Sequence, residues 1–510
     1  MSYTEYTLGI DFGTCFSFPA AVIDDIPTSL LMNQGTVGIP TIFYHDSILR
    51  EKVGEEAERL GKSKPENCIW NIKSDILNED FTKSYVLDGK SYSLVTVCAR
   101  ILQQIIDEAV DQIRDIEGDE NIRFRKAVIS VPVTAGVVPR SILLSAAKIP
   151  RTDGGPGLED VGFIQEPVAA ALYYARRKNE TSDYILVYDL GGGTFDVSLV
   201  QPTSEGSCPY RVIGSDGLRI GGNDFDQLLA LYCAAKLQKE HGISNISVDD
   251  KGLISSSKKA KEQLSRSKVA TVEYDHAGLH KTCSITKDDF EKLISAKVME
   301  TVKLTCKLAN NHSLIDKDGK LKENVRVVMV GGSSHIPFIK DKLKELLKIK
   351  NIATFQPESA IAYGNAIFAD DTKSITTISQ HSYGDVYYSK ETQSSRLVNI
   401  IPKGSDLPFN SGWLAVKTVE ENQRSVLFQI YENEYQNPEL DFNEVRATLG
   451  KPKLELEVNF NKPVPENTKL RYILSLSSDN ILGVQAKYID PETGKESEIQ
   501  EKETKIRLIN

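Results

Sequence analysis

The residues with the clearest capacity for chemistry are acids set directly before glycine and a hydroxyl. Tyr6-Thr-Leu-Gly-Ile-Asp11-Phe-Gly13-Thr14-Cys15-Phe-Ser17 and Ile185-Leu-Val-Tyr-Asp189-Leu-Gly191-Gly192-Gly193-Thr194-Phe-Asp196-Val-Ser share one order: apolar run, acid, glycine, hydroxyl, apolar run. Glycine lets backbone N–H groups close on phosphate oxygens and tolerates positive φ. Carboxylates flanking such turns suit Mg2+, a hard cation that takes oxygen ligands and keeps much of its water. A third glycine pair lies in Val327-Val-Met-Val-Gly331-Gly332-Ser333-Ser334-His335-Ile-Pro337, where an apolar run opens into a helix start, and helix N-termini favour anions. Taken alone, Gly191–Gly193 is an ordinary turn as readily as a phosphate cradle. The repetition points to two related lobes gripping one nucleotide.

These turns need strands to deliver them. Residues 6–23 and 39–44 read as strands, with a polar helix over Glu51–Leu60. Val95–Ile116 places Val97, Ile101, Ile105 and Val110 at roughly helical spacing. Ala127–Val133 is an apolar strand, Ser141–Ala147 a helix, Arg151–Leu158 a surface loop and Val161–Ile164 a short strand. Gln165-Glu166-Pro167 then starts a helix, with proline suited to the first turn. Asp226–His241 and Leu253–Arg266 read as helices, the second with a basic stripe, and Thr286 is placed to cap another. Strands alternating with helices define an α/β nucleotide-binding unit ending near Phe368. From about Asp370 helical periodicity gives way to short alternating segments: Leu397–Ile401, Leu414–Thr418, Val426–Tyr431, Lys453–Phe460, Leu470–Leu476, Leu482–Tyr488 and Thr504–Ile509. Polar turns such as 478–480 and Asp490-Pro-Glu-Thr-Gly494 separate them, the pattern of a β-sandwich. The expected division is 1–369, a linker over 370–379, and a sandwich over 380–510 with no helical lid after it.

Composition narrows the class. The 40% hydrophobic and 26% charged content fits a globular chain rather than a disordered one, and no run approaches the ~18 apolar residues of a membrane span. The N-terminus lacks a basic segment followed by an apolar core. Seven scattered cysteines without a C-x-x-C pair read as reduced thiols, which sets cytoplasm as the expected location. A net charge of −10 argues against a general nucleic-acid surface.

In this order the motifs resemble the seventy-kilodalton heat-shock protein family, the DnaK-type chaperones. Ile10-Asp-Phe-Gly-Thr, Asp189-Leu-Gly-Gly-Gly-Thr-Phe-Asp-Val-Ser, Ile220-Gly-Gly-Asn-Asp-Phe-Asp226 and Val330-Gly-Gly-Ser-Ser-His-Ile-Pro337 carry the resemblance, as do Gln165-Glu-Pro-Val-Ala-Ala-Ala and Ala360-Ile-Ala-Tyr-Gly364. Ile400-Ile-Pro-Lys-Gly and Asp479-Asn-Ile-Leu-Gly-Val echo the peptide-binding β domain. The resemblance implies an α/β actin-like ATPase of two ribonuclease-H-like lobes followed by a β-sandwich that binds extended apolar peptides. By motif, Asp11 and Asp189 would hold Mg2+ largely through water, and Glu166 and Asp196 would orient the attacking water. Lys73 would stand beside the γ-phosphate, with Thr194 and Thr14 on phosphate or water. Gly13, Cys15, Gly191, Gly192, Gly193, Gly222, Gly331, Gly332 and Ser333 would surround the phosphates. Lys258, Lys261, Glu262, Ser265, His335 and Glu358 would surround the sugar and base. In the sandwich Val416, Val419, Val426 and Phe428 would line the peptide pocket, although each reads equally well as ordinary core. Pro132 and Arg140 stand at the family's spacing for interdomain coupling. ATP or ADP, Mg2+ and K+ are the implied cofactors. Unfolded polypeptide, a J-domain co-chaperone and a nucleotide exchange factor are the implied partners.

Several positions depart from the family pattern. Lys258 occupies the place of a ribose-holding glutamate, and His335 that of an arginine able to stack on adenine. Cys15 and Phe16 replace a threonine and a tyrosine of the phosphate loop. Asp370-Asp-Thr-Lys-Ser-Ile-Thr-Thr-Ile replaces a leucine-rich linker. The expected activity is slow ATP hydrolysis. The alternative is a nucleotide-bound scaffold or exchange factor with little turnover, and an actin-fold sugar kinase is disfavoured by the β-rich final third.

Overall fold

A computed structural model describes residues 3–31, 38–78, 80–133, 135–151, 157–178, 183–202, 210–243, 246–247, 250–276, 279–354, 356–371, 379, 381–389, 393–403, 405, 408–433, 435, 437–477 and 481–503. The apolar run ending at Asp11 is the strand Thr4–Asp11, central to a six-stranded sheet. It pairs in parallel with Ile122–Val131 and antiparallel with Phe16–Ile23, and Asp160–Gln165 lies beyond Ile122–Val131. Leu8 and Ile10 are fully buried beneath covering helices. One of these, Ala360–Asp371, lies so close to Gly9 that an added Cβ would stand 2.8 Å from Ala366 Cα.

A second, four-stranded sheet repeats the arrangement. Tyr184–Leu190 pairs in parallel with Val325–Val330 and antiparallel with Phe195–Pro202, and Tyr210–Leu218 lies outermost. Each sheet therefore sends an acid-bearing strand into a tight turn and brings the chain straight back. Helices Gly222–His241, Lys251–Leu264 and Lys287–Asn311 belong to this second half. Thr286 caps the last of them, accepting the Asp289 N–H at 3.2 Å.

The final third folds as two five-stranded sheets. One is ordered Glu439–Asp441, Ser394–Ile401, Ser382–Ser389, Gln423–Asn433, Leu454–Val464. The other runs Phe409–Asn410, Lys469–Leu476, Leu482–Tyr488, Gln500–Glu503, with Leu414–Lys417 also on Lys469–Leu476. This part contacts the first half. Glu432 Oε2 accepts the Val137 N–H at 2.8 Å and the Tyr383 hydroxyl at 2.9 Å. A ring N–H of His381 donates to Ala135 O at 3.0 Å.

Two expectations need correction. The stretch Glu51–Leu60 divides, because Arg50–Val53 pairs as a strand and the helix is Gly54–Gly61. The β-rich third also contains a helix, Phe442–Leu449, capped by Asp441 and buried through Val445 and Leu449. Its three-residue spacings were overshadowed by the flanking alternation. Residues 152–156 of the Arg151–Leu158 loop, 372–378 of the linker, the turn 478–480 and the expected strand Thr504–Ile509 lie outside the described residues.

Candidate functional site

The acids of the two sheets meet where the two halves come together. Asp11 ends its strand, and Asp189 sits directly across the ladder from Asp196. Glu166 is the first residue of the helix Glu166–Lys178, entered straight from the strand Asp160–Gln165. Lys73 comes from the short helix Ile72–Leu77, which buries Ile72 and Ile76 on its other face. Its ammonium donates to Glu166 Oε1 at 2.7 Å, and both side chains are nearly buried.

One cation thus stands among four carboxylates, and the imbalance shows in their protonation. Burial, reinforced by Glu166, pushes Asp11 up to about 7 against the pull of Lys73 and of the nearby Ser130 hydroxyl. Burial and Glu166 likewise push Asp196 up to about 6, while Lys73 and Thr194 draw it down. Asp189 is raised further by burial, then by Glu166, Asp196 and Asp11. Burial alone would depress the Lys73 ammonium, but Glu166, Asp11 and Asp189 hold it above its ordinary value. Such a cluster suits a ligand that brings positive charge. Among the described residues no three His, Cys, Asp or Glu side chains form a direct metal cage.

The glycine turns flank this cluster. A Cβ on Gly193 would stand 3.4 Å from Thr14 Cγ2, so the two turns face each other across the cleft. The Gly191 amide donates to Thr194 O at 3.0 Å, and Gly191 O accepts from Ser333 Oγ at 2.9 Å and from Gly222 N at 3.0 Å. Gly191 and Gly222 are thereby used to shape the turn. Gly331 has φ +83°, a conformation that favours glycine, and its N–H donates to Pro357 O at 2.8 Å. A Cβ on Gly332 would meet nothing within 4 Å, which leaves its backbone open to a ligand. Gly13 forms the tight return into Phe16, where a side chain would strike the Phe16 carbonyl.

At the other end the charges pair within the protein. Buried Lys261 donates to Asp226 Oδ2 at 3.0 Å and to Gly222 O at 3.1 Å. Burial raises the Asp226 carboxyl, with Lys261 opposing. Ser265 Oγ turns back to Lys261 O at 3.3 Å, and Glu262 is exposed. His335 Nε2 is 2.8 Å from Glu358 Oε2, and this bond holds the Glu358 carboxyl below its usual range. The Lys258 ammonium lies 4.6 Å from the centre of the Phe16 ring.

In the sandwich Phe428 is core, its ring centre 4.6 Å from that of Tyr472. Val416 and Val426 are half-buried, whereas Val419 is exposed. Pro132 O accepts the Ala135 N–H at 3.0 Å, and Arg140 is buried in the helix Val137–Lys148, next to the segment touched by Glu432. Three polar residues escaped the sequence reading. Ser130 is buried near Asp11, Asn223 Oδ1 faces the Cys15 thiol at 3.7 Å, and Asp385 is buried in the sandwich. Ser130 and Asp385 carried a signal, each being polar inside an apolar or alternating strand.

Comparison with known proteins matches residues 7–508 to the model of the family described as Hsp70 protein. The chain is also similar to the stromal 70 kDa heat shock-related protein, chloroplastic, of Pisum sativum. Identity is 27% over 532 residues, covering 97% of this chain and 70% of the relative. That relative belongs to the chloroplast stroma, so the expected cytoplasmic location is withdrawn.

Proposed function

Because the chain belongs to the Hsp70 family, whose members are chaperones with a general ATPase activity, we propose that it hydrolyses ATP in the cleft between its two α/β lobes and binds extended polypeptide in its sandwich. The supporting observation is the Lys73–Glu166 pair, 2.7 Å apart, set among Asp11, Asp189 and Asp196 between facing glycine turns. Phosphoryl transfer to water asks mainly for positioning and charge neutralisation. Lys73 is the fixed positive charge for a terminal phosphate, held in place by Glu166. Asp196, raised to about 6 and bonded to Thr194, is suited to take a proton from water near neutral pH. Asp11 and Asp189 would hold Mg2+, which supplies further neutralisation of phosphate charge. The open amides of Thr14, Gly192, Gly193 and Gly332 would face phosphate oxygens. Nothing among the described residues points to potassium.

The division into 1–369, 370–379 and 380–510 is part of this proposal, supported by the change from α/β sheets to paired β-sheets. So is peptide binding near Val416, Val419, Val426 and Phe428, with unfolded polypeptide and co-chaperones as partners. Single-turnover hydrolysis of ATP with Mg2+, comparing the protein with Lys73→Ala and Asp189→Asn, tests the activity. Loss in both variants supports it. Tight nucleotide binding without hydrolysis above the variants would leave a nucleotide-bound scaffold instead.

A further inference from the structure

Two contacts join the lobes at one turn. Cys15 and Phe16 end the acid–glycine turn of the first lobe. Asn223 and Lys258 belong to the helices Gly222–His241 and Lys251–Leu264 of the second. Cys15 Sγ lies 3.7 Å from Asn223 Oδ1, and the Lys258 ammonium lies 4.6 Å from the Phe16 ring centre. The two cations of this helix face have different fates. Lys261 spends its protons on Asp226 and Gly222 O. Lys258 makes no ion pair among the described residues: its charge is felt by the Asp226 carboxyl without a direct contact, and its ammonium stands over the Phe16 ring.

We propose that Lys258 and Phe16 form a clasp across the cleft that retains bound nucleotide, making Lys258 a positioning residue rather than a sugar ligand. The retention rests on the nucleotide-binding reading above; the clasp itself does not. An ammonium over an aromatic face is attracted by the ring quadrupole, and more strongly when desolvated. Opening the lobes must separate the two, so the contact adds to the barrier for release. Its loss speeds release by roughly two- to thirty-fold. Asn223 holds the same turn one residue away, so Cys15 becomes more accessible when the clasp opens.

Two measurements on the full chain test this. The first is stopped-flow release of a fluorescent ADP. The second is alkylation of Cys15 by iodoacetamide in nucleotide-free protein, followed by peptide mapping. Lys258→Gln and Phe16→Leu should each raise both rates by roughly two- to thirty-fold. The double variant should match the faster single one, because the two residues share one interaction. Lys258→Arg should restore slow rates, since guanidinium also stacks on a ring. Independent, multiplying effects in the double variant would overturn the clasp, as would unchanged Cys15 alkylation in Lys258→Gln. If no nucleotide binds, the nucleotide reading fails, and the alkylation rates still decide whether the clasp exists. Lys258→Gln changes only a half-exposed side chain, so the decision does not depend on how well Phe16→Leu folds.

Discussion

The two ends of the cleft handle charge in opposite ways. Around Lys73 four carboxylates share one ammonium, and three of them are pushed above the usual carboxylate range by burial and mutual repulsion. Around Lys261 and His335 each polar group has a partner within the protein: Asp226 for the first, Glu358 for the second. A group of charges that cannot balance itself is poised for a ligand, whereas one already paired is chiefly structural. The contrast supports placing the proposed chemistry at the Lys73 end, with a supporting role for the Lys261 end.

Breaking the unbalanced end should have the largest effect. Lys73→Ala or Asp189→Asn is expected to lower single-turnover hydrolysis by about 10²–10³-fold, with nucleotide still bound. Retained turnover would contradict the contrast at its centre. At the paired end, Asp226→Asn leaves the Lys261 ammonium buried without its counter-charge. The expected cost is about 3–5 kcal/mol in denaturant unfolding, while the joint change Asp226→Leu with Lys261→Met costs much less. Equal costs for the two would show that the pair is not a self-balancing unit.

The sandwich offers a third case, a buried acid with no cation. Asp385 Oδ1 accepts the Val386 N–H at 2.9 Å and the Gln429 N–H at 3.1 Å, where the ladder between their strands has ended at Gly384. Burial pushes this carboxyl up to about 7 despite both bonds. Its folded value lies above the unfolded one, so its contribution to stability is full below about 4 and is lost as pH rises through about 7. Asp385→Asn keeps the acceptor and removes the charge. Relative to the variant, the protein should therefore lose roughly 1–3 kcal/mol between about pH 5 and about pH 8. Parallel curves of denaturation midpoint against pH would refute it. The smallest effect belongs to Glu358→Gln, which frees His335 at an exposed pair. Calorimetry should find nucleotide affinity changed by less than about fivefold, and a tenfold change would make the base end a principal binding determinant.

Much of the acid cluster around Lys73 was legible beforehand. Asp11, Asp189, Asp196 and the glycines stand together in short runs whose turn chemistry is local. Lys73 and Glu166, 93 residues apart in sequence, were reached only through family motifs, because no spacing rule relates residues on separate elements. The helix Phe442–Leu449 was missed since two turns of periodicity are too short to outweigh flanking strands. The pairing of Lys261 with Asp226, 35 residues away, was likewise not legible, because no local pattern relates the two helices.

The amino-acid order by itself determined the two acid–glycine turns, the alternation of strands and helices, and the change to β-structure after Asp370. Those features depend on local backbone freedom and on hydrophobic periodicity, which short segments carry alone. Tertiary structure decided which charges balance. Folding placed Lys73 against Glu166, Lys261 against Asp226, Lys258 over Phe16 and Glu432 at the start of the helix Val137–Lys148. Coulombic and hydrogen-bond energies depend on distance and burial in space, and neither is written in separation along the chain.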